Sequence, residues 1–393
     1  IEDNYKKPYK FHTNLYATFI KRCYDFTGKA GFVAMVHPPT FMYIKTFEDV
    51  RKFIVDKTHI NFFVEWGYLG MFNPSARVDS ALYILEKNNN QEKDAVFVKL
   101  NHLYETKRYD ALFEAYEKFL AGGTHELLYS IPQAKLKIIK SWPFIYWISD
   151  DFREKFGGTT LDKLADICKG MDTSNNLRFL KLWWEVGNEK PTGDWKVYAK
   201  GGPFEKWYGN LWATINWKND GKAIKDYAGS TIRNEKHYFS EGLTYSTSGS
   251  KGASFRLLPK GSIFDAGGNG VFITNNVLDL HYLLAFMNSK LCFYVRDCLN
   301  PTVNTTVGDL NRLPIISEQQ HPIVISLSKI NVDIKYYLCA YSLVDFEFKQ
   351  SPLRTNVTIP NFKNAYKEFL NYENHLLTQV LLNEAIINEK IFE

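Results

Sequence analysis

Between Trp195 and Lys260 the chain sets eleven Lys or Arg against five Asp or Glu and interleaves them with twelve aromatic residues. That surplus of six positive charges exceeds the +5 left by the 48 basic and 43 acidic residues of the whole chain, so everything outside the stretch carries about −1. The positive field is local. Lysine and arginine neutralise phosphates with release of counterions, while Asn, Ser, Thr and aromatic faces meet bases, so the pattern points to a polyanion such as a nucleic acid. The candidate DNA-binding residues are Lys206, Lys218, Lys222, Arg233, Asn234, Lys236, Thr247, Ser248, Lys251 and Arg256. Arg233, set between two turn-rich segments, is the favoured reader of a guanine edge, whereas Arg256 in FRLLP reads better as the brace of a strand. The competing reading is a solvated charged face, with aromatics such as Trp212 and Phe239 in a core.

A chain of 393 residues, 45% hydrophobic and 23% charged, has room for two or three domains with sizeable cores and excludes a disordered class. Its apolar runs are far too short for a membrane span, and its start, IEDNYKKPYK, has neither a signal-peptide core nor an initiator Met, which reads as a piece of a longer polypeptide. Five cysteines (Cys23, Cys168, Cys292, Cys298, Cys339) with no CxxC pair fit a reducing cytoplasm rather than a disulfide framework or a zinc site. The nine histidines are scattered, so no protein-bound metal is expected.

The elements that must position these residues fall into four expected segments. Residues 1–105 alternate helix and strand: NLYATFIKRCYDF and a capped TFEDVRKFIVDK as helices, GFVAMVHP, HINFFVEWG and DSALYILEK as strands. This is the pattern of the second half of a doubly wound, Rossmann-like α/β sheet, with no preceding strand, Gly-rich turn and acidic residue to hold a nucleotide-like cofactor. Residues 106–134 read as a helical connector around YDALFEAYEKFLAGG. Residues 135–316 read as an α+β recognition domain, with LDKLADICKGM helical, FLKLWWEV a strand, FDAGGNG a turn and LDLHYLLAFMNSKLCFYVRDCL one helix. Residues 317–393 carry long apolar stripes of helical period and are expected to brace that domain.

HTNLYATFIKRCYDFTGKAGFVAMVHPPTFMYIKTFEDVRKFI resembles the segment just after the NPPY motif of adenine-specific DNA methyltransferases, where an (S/T)-(D/N)-L-Y-A-x-F helix precedes a G-(G/A)-x-x-A-M-(I/V)-x-P strand. GMDTSNNLRFLKLWWEV, KWYGN, NWKNDGKAIK, STIRNEKHYFSEGLTYS, FRLLPKGSIFDAGG, LLAFMNSKL and LNPTVNTTVGDLNRLPI extend the resemblance to the C-terminal part of the PglX methyltransferases of BREX phage-defence systems and their restriction-modification relatives. The family transfers a methyl group from S-adenosylmethionine to an adenine in a short DNA sequence and marks host DNA.

What the resemblance implies for this chain is mostly negative for catalysis. The cofactor-binding and NPPY motifs of the family would lie upstream of Ile1, and KKPYK (Lys6–Lys10) is no substitute, because it lacks the Asn and the first Pro that accept hydrogen bonds from the adenine amine. The chain is therefore expected neither to bind S-adenosylmethionine nor to methylate DNA alone. Phe72 occupies the position where related enzymes stack an aromatic on the flipped base, with Lys10 and His12 as weaker candidates. The expected partners are double-stranded DNA and other proteins of the defence system, with no membrane. A non-catalytic DNA-specificity subunit and a protein-interaction scaffold with an incidental basic patch are the alternatives.

Overall fold

The computed structural model describes residues 2–68, 71–72, 77–88, 93–187, 193–275, 277–315, 320–354 and 361–393. These divide into two units, Ile1–Gly158 and Thr159–Glu393. The protein is mixed α/β, and among the described residues no helix is long and apolar enough to cross a membrane.

The first unit runs α1 (Glu2–Tyr5), α2 (Leu15–Phe26), β1 (Phe32–His37), α3 (Glu48–Lys57), β2 (His59–Tyr68), β3 (Asp79–Glu86), β4 (Asp94–Lys99), α4 (Arg108–Leu120), β5 (Leu128–Pro132) and α5 (Asp150–Lys155). Its sheet has the order β1-β3-β2-β4-β5. β3 is antiparallel to both β1 and β2, β4 is parallel to β2, and β5 is antiparallel to β4. β1, α3 and β2 thus form a split βαβ unit with β3 inserted between its strands. Side chains alternate across β2. Ile60 and Phe63 join α2, α3 and β3 in one core, while Val64 and Trp66 face α4 in a second core on the other side. Each such buried side chain contributes about 1.5–3 kcal/mol, so helices on both faces stabilise the sheet.

Several expected elements are corrected here. α3 has no side-chain cap, since it is entered from a 3-10 turn at Lys45–Phe47. The segment expected as a helical connector does contain α4, but it also supplies β5 to the sheet, and the boundary drawn at 134 lies inside the first unit. β4, from DAVFVK, was not among the expected strands.

The second unit contains β6 (Ala165–Cys168), α6 (Asn176–Phe179), β7 (Leu180–Leu182), β8 (Trp195–Ala199), β9 (Ala213–Asn216), α7 (Lys218–Lys225), β10 (Gly242–Ser246), β11 (Phe255–Leu258), β12 (Ile263–Phe264), β13 (Gly268–Ile273), α8 (Leu280–Met287), α9 (Lys290–Leu299), α10 (Val307–Leu310), α11 (Pro322–Cys339) and α12 (Phe362–Phe392). Two four-stranded sheets result, β11-β10-β13-β6 and β12-β8-β9-β7. LDKLADICKGM is not a helix: a 3-10 turn at Leu161–Lys163 leads into β6, which pairs antiparallel with β13. FLKLWWEV is strand only at Leu180–Leu182 before a 3-10 turn. The single helix expected over Leu278–Leu299 is two. It breaks at Asn288, whose side chain accepts from Phe255 N at 3.0 Å and donates to Phe255 O at 2.9 Å, and Ser289 then caps α9. α11 and α12 pack together, pinned by the buried bond from Asn383 Nδ2 to Asn331 Oδ1 at 2.8 Å. The expected boundary at 316/317 lies outside the described residues.

Candidate nucleic-acid interface

The ten residues picked from the basic stretch lie in the second unit, in two groups. One surrounds α7 and the following 3-10 turn at Glu235–His237. Asn219, Asp220 and Gly221 open α7 with positive φ, and Lys222 pairs with Asp226 at 2.6 Å, while Lys218 lies 4.0 Å from Asp194. Lys225 joins the helix to the turn by bridging Asp220 and Glu235. Within the turn Asn234, at φ +54°, donates to Lys169 O at 2.8 Å. Lys236 meets Asp166 at 2.7 Å, and His237, stacked on Phe272 at 4.3 Å, approaches the same carboxylate at 3.0 Å. The hydrogen bond from Lys236 is the main cause that holds Asp166 below the usual carboxylate range. Arg233 is half-buried, and its Nη1 has no hydrogen-bond partner among the described residues. Exposed pairs of this kind are worth only about 0–1 kcal/mol, so a phosphate competes readily for these lysines.

The other group lies on the loop between β10 and β11 and, with Lys206, on the loop between β8 and β9, next to α9. Thr247 and Ser248 run beside the chain at 303–305: Thr305 N donates to Thr247 O at 2.8 Å, and Ser248 bridges Asn304. Lys206 and Lys251 share a pocket of about 170 Å³ with Phe204, Lys290, Phe293 and Arg296. Lys206 pairs with Glu384 of α12 at 2.9 Å, and the same carboxylate accepts from Trp207 Nε1 at 2.7 Å. Gly252, between the lining residues Lys251 and Ala253, has φ +81°, a backbone conformation that favours glycine. Arg256 belongs to neither surface. It is fully buried, and its guanidinium donates to Gly201 O at 3.1 Å, Glu205 O at 3.3 Å and Ser254 O at 3.4 Å. Burial pulls its pKa down to about 10, and a base edge is out of its reach. The polar run at residues 173–176 is spent on itself and on nearby turns, with Thr173 Oγ1 donating to Asn176 Oδ1 at 2.6 Å and Asn175 capping α6.

Lys290, Phe293 and Arg296 were not among the sequence candidates. The available signal was that Lys290 and Arg296 are the two Lys or Arg residues of the segment over 278–299 expected as a helix.

In the first unit Phe72 is 64% exposed on the segment between β2 and β3, next to Met71, whose carbonyl accepts from Tyr109 at 3.2 Å. Lys10 is tied to Asp49 at 2.9 Å, and His12 Nδ1 is buried without a partner among the described residues. None of the three contacts another through a hydrogen bond, ion pair or ring contact given by the described residues. The polar centre of this unit is Glu65. Buried on β2, it accepts from Tyr43 at 2.8 Å, Tyr146 at 2.8 Å and Asn101 at 2.8 Å. Burial raises its pKa above the ordinary value. Gly67, at φ +93° beside a register shift, allows this approach, because a Cβ there would meet Asn101 Cα at 2.7 Å.

S-adenosylmethionine needs hydrogen-bond acceptors for its ribose hydroxyls and ammonium group. The large cavity of this unit, about 440 Å³ on the β1-β3-β2 face, is lined by apolar side chains such as Met35, Phe62 and Leu82, with only the hydroxyls of Tyr83 and Tyr116 as polar side-chain atoms. The described residues do not fit the cofactor there.

Residues 1–72 match the family model described as Eco57I restriction-modification methylase. More specifically, the chain is similar to adenine-specific methyltransferases. It is 28% identical to adenine-specific methyltransferase BrxX of Escherichia coli O9:H4 (strain HS) over 97% of this chain and 31% of that protein. It is also 28% identical to adenine-specific methyltransferase PglX of Lacticaseibacillus casei (strain Zhang) over 81% of this chain and 28% of that protein. The chain thus spans about a third of the length of these relatives. Among solved structures it resembles the Type IIL restriction-modification enzyme MmeI in complex with DNA (TM-score 0.47, 10% identity, 95% of this chain and 51% of that one). It also resembles a nuclease-deletion mutant of the Type ISP enzyme LlaGI in complex with a DNA substrate mimic (TM-score 0.49, 12% identity, 85% and 32%).

Proposed function

We propose that the chain is part of an N6-adenine DNA methyltransferase of the PglX type, which marks host DNA in phage defence, and that this part mainly supplies recognition of the DNA target. The similarity to two adenine-specific methyltransferases over 97% and 81% of the chain carries this reading. The split βαβ unit with helices on both faces fits the back half of a Rossmann-like methyltransferase sheet, and the lysine-bearing surfaces of the second unit fit a DNA-binding module. In the intact enzyme S-adenosylmethionine is the methyl donor, and Phe72, exposed before β3, stacks on the extruded adenine.

A non-catalytic DNA-specificity subunit is the second reading, favoured by the apolar cavity that does not fit the cofactor. The experiment is duplex binding by the whole chain, followed by fluorescence anisotropy between 50 and 200 mM salt. Six to ten phosphate contacts predict a loss of about 10³–10⁵ in affinity over that range. Affinity that is absent or indifferent to salt overturns both readings and returns the basic stretch to a solvated face. In calorimetric titration with S-adenosylmethionine no heat is expected from this chain on either reading, and micromolar binding would make it a cofactor-holding enzyme.

A further inference from the structure

The pocket under the loop before β11 holds more positive charge than the fold uses. Arg296 is only 6% exposed, and the single hydrogen bond of its side chain among the described residues goes from Nη1 to Ala253 O at a long 3.4 Å. Its guanidinium lies 5.2 Å from the Phe293 ring, and no carboxylate stands within 4.0 Å of it among the described residues. A buried cation left without a counter-charge is costly, and an arginine offers five donors of which this one commits one. Lys251 and Lys290 line the same pocket, both exposed and both without a carboxylate partner among the described residues. The fourth cation, Lys206, is already balanced by Glu384. The first-turn amides of α9 are also committed, Lys290 N to Asn388 Oδ1 at 2.7 Å and Cys292 N to Ser289 Oγ at 3.1 Å, so any attraction comes from the side chains and not from the helix end. Phe204 and Phe293 flank the opening, 42% and 49% exposed, with Lys251 Nζ 5.9 Å from the Phe204 ring.

We infer that this pocket is a nucleotide-phosphate site: Arg296 forms its floor and grips a phosphate through its planar fork, Lys251 and Lys290 close over the charge, and the adjoining sugar or base lies against Phe204 and Phe293. The planar guanidinium matches two phosphate oxygens at once, which a lysine in its place does not. Three unbalanced cations around about 170 Å³ suit one phosphate with its sugar and are in excess for a neutral ligand. The inference rests on the DNA-binding reading only for the source of the phosphate, a backbone phosphodiester as against a free nucleotide.

Two measurements on the whole chain test it. In the first, duplex affinity is followed against salt for the unaltered chain, Lys251→Ala, Lys290→Ala and, as a control, Lys329→Ala, an exposed residue of α11. Each pocket variant is expected to lower the slope of log affinity against log salt by about 0.9, and the control to leave it unchanged. In the second, deoxyadenosine monophosphate is titrated against the chain without DNA. Saturable binding lost in Lys290→Ala assigns the pocket to a free nucleotide, whereas a reduced slope with no monophosphate binding assigns it to the backbone. Unchanged slopes in a chain that still binds DNA steeply, together with no monophosphate binding, overturn the pocket and leave the DNA reading intact. Absence of any DNA binding overturns the reading of the second unit, and the monophosphate titration alone then decides the pocket. The two lysines are exposed, so folding does not confound the outcome. Arg296→Lys adds a check of geometry, since it keeps the charge and should still lose binding.

Discussion

Replacing Asp309 by Ala should destabilise the second unit by about 3–5 kcal/mol, the range for stripping one partner from a buried ion pair. Asp309 and Arg312 are 1% and 2% exposed and meet at 2.7 Å through Oδ1 and Nη2. The other oxygen, Oδ2, accepts from Asn300 Nδ2 at 2.8 Å, Thr306 N at 2.9 Å and Thr306 Oγ1 at 2.7 Å. One carboxylate therefore caps α10, anchors the chain at Asn300 and neutralises a guanidinium. Without it the Arg312 guanidinium loses its contact with this carboxylate and keeps, among others, its bonds to Gly308 O at 3.1 Å and Leu299 O at 3.4 Å. A loss of this size is a large share of the roughly 5–15 kcal/mol of a typical domain. Urea unfolding followed by circular dichroism gives the number from the shift in midpoint at constant slope. Removing both charges in Asp309→Ala/Arg312→Met should recover part of the loss. A single variant costing under about 1 kcal/mol, or a double variant less stable than the single, would refute the account. Confirmation would make NPTVNTTVGDLNRLPI a fold-holding motif and not a set of base readers.

Further expectations concern both units. The carboxyl of Glu65 has its pKa raised by burial, so its contribution to stability is full below the ordinary glutamate range and is lost as pH rises through the raised value; Glu65→Gln should flatten that part of the stability profile, and an unchanged profile would contradict it. Arg256→Ala should destabilise the second unit by about 1–3 kcal/mol by stranding buried carbonyls, while a folded variant keeps its base preference; relaxed preference at one position would instead make Arg256 a reader. In a longer polypeptide that carries the NPPY motif, Phe72→Ala should slow methylation about tenfold with sequence preference intact, taking about 1–3 kcal/mol for stacking on an aromatic; full activity in a folded variant removes Phe72 from the base pocket.

Much of the first unit was legible because its strands and helices carry strong periods. NLYATFIKRCYDF became α2, capped by Asn14, and GFVAMVHP became β1. Where pattern and pairing competed, pairing decided. Leu161, Leu164 and Ile167 are spaced three apart, as on a helix, yet Ala165–Cys168 is drawn into the edge of a sheet by β13, more than a hundred residues later. The apolar run over 278–299 carries no proline or glycine to announce its break, which depends on the Asn288 amide finding Phe255. The basic stretch is locally rich in charge, but its members diverge: Arg256 turns inward, Lys236 is held by Asp166, and Lys251 finds its companions Lys290 and Arg296 some forty residues further on. Charge surplus is additive along a sequence, whereas its direction is settled only by the fold.

The amide of Asn288 has a consequence for association in solution. β11 is the outer strand of its sheet, and an uncovered outer strand offers a row of donors and acceptors to any extended peptide. Asn288 stands in for a peptide group and occupies both Phe255 N and Phe255 O, while Trp207 takes its place along the same rim, donating to Phe255 O at 2.9 Å and accepting from Leu257 N at 2.9 Å. That rim of the sheet is thus sealed by a side chain and a single residue of loop, and this margin is closed to strand addition by a neighbouring copy.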